Sequence, residues 1–193
     1  SLPVSGQATA HDPVAALAAA FPTRPKALGV AVSGGSDSTA LLHHLSRWAG
    51  AETVLYVVTV DHGLRPEAAQ EAQEVARFAE KLGHAHDTLT WVWDGTGNLS
   101  DAARRGRYAA MGNWARGKGI GDIALGHTAD DQAETVLMRL ARGSGVDVLA
   151  GMRAVRVADG LHWHRPFLSL RREDLRADLR NAGELEERLD GLS

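Results

Sequence analysis

No cysteine occurs anywhere in the 193 residues. Disulfides, thiolate metal sites and cysteine nucleophiles are thereby excluded. No apolar stretch approaches the ~20 residues that a membrane-spanning helix needs. Residues Ser1 to Ala10 lack a basic region followed by an apolar core. No secretory signal is therefore expected, and a cytoplasmic location is the default expectation. Positive charge is not in excess either, since the formal net charge is −3. The overall basic footprint of a nucleic-acid binder is missing. Local basic clusters remain: Arg104, Arg105 and Arg107 form one, and Arg139, Arg142, Arg153 and Arg156 are candidates for another. No internal repeat or low-complexity tract stands out. The length and a hydrophobic content of 44% suit one α/β domain with a real core and a small appendage.

What is present begins with VAVSGGSDSTALLHHL, Val30 to Leu45. Leu28 to Val32 reads as a short buried strand, being apolar and β-branched. From Thr39 onward Leu41, Leu42 and Leu45 recur at helical spacing. The polar hexapeptide Ser33-Gly34-Gly35-Ser36-Asp37-Ser38 is then a strand-to-helix turn. Glycines let its backbone bend and let a ligand come close. The first amides of a helix lack intrahelical partners and carry the positive dipole end. Together these make an anion site, most naturally for phosphate. Simple capping by Ser36 or Asp37 is the plainer alternative, but a cap needs one such residue. No lysine follows the glycines, and GxGxxG is absent, so neither the Walker loop nor the dinucleotide fingerprint applies.

All six positions resemble the SGGxDS loop of the PP-loop ATP pyrophosphatase superfamily. That resemblance implies that Ser33, Gly34, Gly35, Ser36, Asp37 and Ser38 hold the pyrophosphate end of ATP. Attack at the α-phosphate would then adenylate a substrate and release pyrophosphate.

Along the rest of the chain, strands alternate with helices. Helices are expected at Pro13 to Phe21, Glu67 to Leu82, Leu99 to Gly117 with Ser100 as N-cap, Asp130 to Ala141 with Thr128 as cap and an end at Gly143, and Arg172 to Ala182. Strands are expected at Glu52 to Val60, Ala85 to Val92 and Ile120 to Leu125, and a hairpin at Val155 to His164 turning on Asp159-Gly160. This predicts an α/β fold: a doubly wound, mostly parallel five-stranded sheet with helices on both faces. Ligands of such sheets sit at the carboxyl ends of the strands, near the switch in strand order. Residues 1–25 read as an N-terminal helix and connector, 26–183 as the catalytic domain, and 184–193 as a tail.

Two further polar clusters follow strands. Asp61-His62-Gly63-Leu64-Arg65 either contacts the adenine or ribose or is an ordinary loop with Pro66 in the first helical turn. Gly126 to Gly145 carries His127, Asp131 and Glu134 at i, i+4 and i+7, with Asp130 beside them. Acids in a first turn suit the helix dipole without any ligand. Yet this cluster faces the same crevice as the glycine loop. Mg²⁺ takes one or two carboxylates together with phosphates, and Asp37 and Asp131 are the candidates. Glu134 and His127 are candidates for moving protons or orienting a nucleophile. The spacing is too loose for zinc.

Five ordered blocks together resemble the tRNA(Ile)-lysidine synthetase family. They are Ser33 to Ser38, Val60 to Arg65, Gly97-Asn98 with Ala103-Arg104 and Arg107-Tyr108, Gly126 to Gly145, and Arg165-Pro166. The resemblance implies ATP-dependent adenylation of the wobble cytidine in a CAU-anticodon isoleucine tRNA. Attack by L-lysine would follow, giving lysidine, AMP and pyrophosphate. Arg104 and Arg107 lie at i, i+3 and are expected on one helix face, and the resemblance places both near phosphate or the reacting nucleotide. An acidic group should receive the lysine amine, with Asp130, Asp131 and Glu134 equally open. The family continues with a different stretch where this chain has Glu184 to Leu189, so a tail that is the stub of further RNA-binding regions is expected. Rival expectations are another PP-loop adenylating ligase and an ATP-binding module without catalysis. The thiolases of the superfamily generally need cysteines, which are absent.

Overall fold

The computed structural model describes residues 12–33, 36–131, 137, 141, 153–177 and 180, with the backbone alone for 36–38. Its sheet has six strands, one more than expected, in the order β3-β2-β1-β4-β6-β5. They are β1 (Ala27–Ala31), β2 (Val54–Asp61), β3 (Ala85–Thr90), β4 (Asp122–Ala124), β5 (Val155–Ala158) and β6 (Leu161–His164). Every pairing is parallel except β5 with β6. The extra strand arises because both arms of the Asp159-Gly160 hairpin join the sheet. Asp159 and Gly160 have φ of 53° and 76°, the positive pair that a two-residue hairpin turn demands.

Strand alternation sorts the core into two layers. Leu28 and Val30 of β1, Val32 just beyond it, and Leu55 and Val57 of β2 face α1 (Pro13–Ala20), α2 (Ser36–Ala49) and α3 (Glu67–Lys81). Ala31, Val58, Ile123 and Trp163 face α4 (Leu99–Lys118) through Met111 and Ala115. In α3 the buried residues are Ala68, Ala72, Val75 and Ala79, one stripe at helical spacing.

The start of one helix and the cap of another differ from expectation. Helix α2 begins at Ser36, not Thr39, so Ser36, Asp37 and Ser38 form its first turn. Apolar periodicity reports only the buried face, and a first turn can be wholly polar because it faces solvent or ligand. Helix α4 is capped by Asn98 rather than Ser100: the Asn98 Oδ1 accepts the Asp101 N–H at 3.2 Å. Asn98 has the extended backbone a cap requires, whereas Ser100 is already helical. At its far end Gly119, φ 71°, closes α4, with the Ile120 N–H donating to Ala115 O at 2.9 Å; this is a Schellman stop. Strand β4 is also shorter than Ile120 to Leu125. Residues 172–177 are helical, as expected for the start of the last helix.

Candidate active site

The chain runs from β1 outward through β2 to β3, then returns to lay β4 on the other side of β1. The strand order therefore reverses between β1 and β4, where open α/β sheets bind ligands at the carboxyl edge. The loop after β1 begins at Ser33, and the loop after β4 carries His127 and Thr128.

Ser33 lines a cavity of about 140 Å³ with Thr59, His62, Arg65, Glu71 and Arg107. The turn after β2 supplies His62 and Arg65, and it is braced locally. Asp61 Oδ1 accepts the Gly63 N–H at 2.9 Å and His62 Nδ1 accepts the Leu64 N–H at 3.1 Å. Arg65 donates to Glu71 at 3.2 Å. Helix α4 contributes Arg107. Burial pulls the Arg107 guanidinium below its usual range; Tyr108 opposes this and Arg104 adds to it. No carboxylate among the described residues pairs with Arg107. A half-buried cation beside Ser33 suits a polyanion.

The turn after β4 is braced from far along the chain. Asp131 Oδ2 accepts the Thr128 N–H at 2.7 Å and the Thr128 hydroxyl at 3.0 Å. Asp131 Oδ1 accepts from Arg172 at 3.0 Å, and Asp130 Oδ2 accepts the Arg172 N–H at 2.9 Å. The Ala129 N–H donates to Leu170 O at 2.7 Å. Thr128 stands directly before the helical residues 129–131, and Asp131, three residues on, accepts its N–H as the acid of a capping box does. Burial works to raise the Asp131 pKa, but the Thr128 and Arg172 bonds outweigh it and the net shift is downward.

His127 is held neutral. Its pKa is lowered to about 4, by burial first and then by Arg165, against the pull of Asp131, with Arg107 and Arg104 adding to the fall. Its Nδ1 is buried without a hydrogen-bond partner among the described residues. Arg165 is itself 4% exposed and donates to Arg153 O at 2.9 Å. Arg104 departs from the face it was expected to share with Arg107. It stacks 5.7 Å from the Tyr108 ring and lines a separate groove. Between them Gly106 lets the Trp91 indole lie on α4; a Cβ there would sit 1.8 Å from Trp91 Nε1.

Ser33, His62, Arg107, His127 and Asp131 thus all belong to the carboxyl edge. Gly34, Gly35 and Glu134, and the side chains of Ser36, Asp37 and Ser38, lie outside the described residues. So do Arg139, Arg142, Gly143 and the 184–193 stretch. Sequence reasoning passed over Arg172, Glu71 and Arg65 as site residues. Arg65 stood in a quoted block and was findable; Arg172 carried no local signal. Among the described residues, no group of three or more His, Asp or Glu is arranged to hold a metal ion. No described helix is long and apolar enough to cross a membrane.

A crevice at the switch point, lined by Ser33, His62, Arg65 and Arg107, marks an open α/β domain suited to an anionic ligand. The chain belongs to the PP-loop domain family, which matches residues 9–184. Curated relatives carry the name tRNA(Ile)-lysidine synthase. The one from Ruegeria pomeroyi is 52% identical over 177 residues, covering 90% of this chain and 42% of the relative. The one from Bradyrhizobium sp. (strain BTAi1) is 45% identical over 188 residues, covering 93% and 52%. The chain thus spans about half the length of the curated relatives it matches. Among solved structures, a U34-tRNA thiolase from Methanococcus maripaludis superposes with a TM-score of 0.73 at 15% identity, over 90% of this chain and 63% of that one. An NMN synthetase from Francisella tularensis gives 0.57 at 14%, over 86% and 66%. At these identities the likeness is one of fold.

Proposed function

We propose that this domain is the adenylating part of a tRNA(Ile)-lysidine synthase. It takes ATP, activates carbon 2 of the wobble cytidine in a CAU-anticodon tRNA(Ile), and lets L-lysine displace AMP. The observation that carries the reading is the meeting of Ser33, His62 and Arg107 around one cavity at the switch point, in a chain 52% identical to a relative of that name. The catalytic domain is assigned to residues 26–183, with 1–25 before it and a 184–193 tail, working in the cytoplasm.

Each residue has a role in this reading. Ser33, Gly34, Gly35, Ser36 and Ser38 cradle the pyrophosphate at the α2 N-terminus. Asp61 and His62 shape the nucleoside side. Arg107 faces phosphate charge as pyrophosphate leaves, and Arg104, on the next flank, stands near the reacting nucleotide. His127, neutral at physiological pH, accepts or donates a hydrogen bond without adding a third cation beside Arg165 and Arg107. An acid of the Asp130, Asp131 and Glu134 cluster receives the incoming amine. Mg²⁺, when bound, neutralises phosphate charge. Asp37 suits it by position. Asp131, whose two oxygens accept hydrogen bonds from Thr128 and Arg172, would share a carboxylate oxygen with the ion.

The test is incubation with ATP, Mg²⁺, L-lysine and CAU-anticodon tRNA(Ile), read by AMP release and nucleoside mass spectrometry. Lysidine that depends on both tRNA and lysine is expected. AMP release that ignores tRNA, or a product on another acceptor, would reassign the domain to a different adenylating ligase.

A further inference from the structure

Helix α4 presents two stripes. Arg107, Met111 and Ala115 face the cavity and the core. Arg104, Arg105, Tyr108, Ala109, Gly112 and Arg116 face outward into a second concavity of about 260 Å³, closed on its other side by Arg156 and Trp163 of the β5–β6 hairpin. Helix α4 follows the carboxyl end of β3 and runs back along the sheet, so Arg104 and Arg105 stand at the active-site edge and Arg116 toward the opposite one. The twelve steps from Arg104 to Arg116 span about 18 Å at 1.5 Å per residue. The groove is thus a track that starts beside the crevice and leads away from it.

Its arginines are not spent on ion pairs. Among the described residues none of Arg104, Arg105, Arg116 and Arg156 forms a salt bridge with a carboxylate. Arg116 is instead set in place by neutral acceptors. It donates to Asn113 Oδ1 at 2.8 Å and to Asp159 O at 3.2 Å. Its guanidinium lies over Gly112, where a Cβ would come within 3.2 Å of Nη2. Arg104 stacks on Tyr108, whose ring meets Trp163 edge-on at 5.0 Å. One acid, Asp159, lines the groove. In a chain of net charge −3, four arginines over an aromatic floor are a local reversal of sign.

We infer that this groove binds the phosphate backbone of the RNA whose base enters the active site. Arginine donors suit phosphate oxygens, and such contacts fix register without reading sequence. The inference rests on the RNA substrate of the reading above and adds where that RNA runs.

The experiment measures binding of a fluorescein-labelled CAU anticodon stem-loop to the chain by anisotropy across a salt series. The variants are Arg105→Glu with Arg156→Glu, and Arg105→Lys with Arg156→Lys. Neither position has a role assigned in the reaction, and both are exposed. The Glu pair should weaken RNA binding at least tenfold and flatten the salt slope by about 1.5. The Lys pair should stay within threefold of wild type. Thermal melting and ATP binding should be unchanged in both. RNA binding within twofold of wild type in the Glu pair, or none by wild type at low salt, overturns the groove. Groove-dependent RNA binding with no lysidine formed overturns the reaction assignment instead and leaves the groove standing.

Discussion

The turn after β2 and the turn after β4 both deliver side chains to the carboxyl edge, yet they are held by opposite means. The first is self-braced: Asp61 and His62 each accept a backbone N–H two residues ahead. The second depends on Arg172, 41 residues beyond Asp131. A self-braced turn keeps its shape whatever the rest of the domain does. A turn braced from afar is right only when the later segment has docked. The difference teaches that the two halves of the site should fail differently.

The sharpest way to break the comparison is Arg172→Ala. It strips a charged donor from a carboxylate that is only partly solvated, costing about 2–3 kcal/mol of stability. Misplacing the β4 turn should also cost about 100-fold in tRNA-dependent AMP release. Denaturant melts and turnover assays check the two effects. If Arg172→Ala behaves like wild type in both, the far brace is decorative.

Acid reaches the β4 turn next. His127 has a folded pKa of about 4 against an ordinary 6.5, so the unfolded state binds the proton more readily. Stability from this group is fully present above about pH 6.5 and is lost as pH falls toward 4, by at most about 3 kcal/mol. Asp131, depressed in the fold, adds a loss at still lower pH. In pH-resolved melts His127→Gln should flatten the wild-type slope between pH 6.5 and 4 and leave the lower limb.

The self-braced turn should yield least. Asp61→Ala removes one exposed hydrogen bond, about 0.5–1 kcal/mol. Asp61→Asn keeps the acceptor and should stay within about 0.5 kcal/mol of wild type. Because the two braces share no partner, Asp61→Ala with Arg172→Ala should be additive within about 0.5 kcal/mol. A larger coupling in that cycle would mean the turns are one unit.

The same contrast explains what the sequence made legible. The Asp159-Gly160 hairpin and helix α3 are local patterns, and each appears where expected. The start of α2 was misplaced because three polar residues leave no apolar signature. The cap of α4 went to Ser100 because Asn and Ser cap about equally well, and spacing alone could not choose Asn98. The Arg172 tie to Asp131 was invisible: nothing near Arg172 names a partner 41 residues away. The parting of Arg104 from Arg107 was hidden for a related reason, since it depends on where the β5–β6 hairpin docks beside α4.

That hairpin carries a temporal consequence. Its two strands meet across a two-residue turn, so it can close within microseconds of being made. Joining β4 is a slower step, because residues 122–124 must find residues 162–164. Only that step brings in Arg165 and, behind it, the segment that holds Asp131. During synthesis the junction of β1 and α2 therefore exists long before the β4 turn is braced across from it. A chain emerging from the ribosome carries half of the candidate site until about residue 172 has left the tunnel and docked.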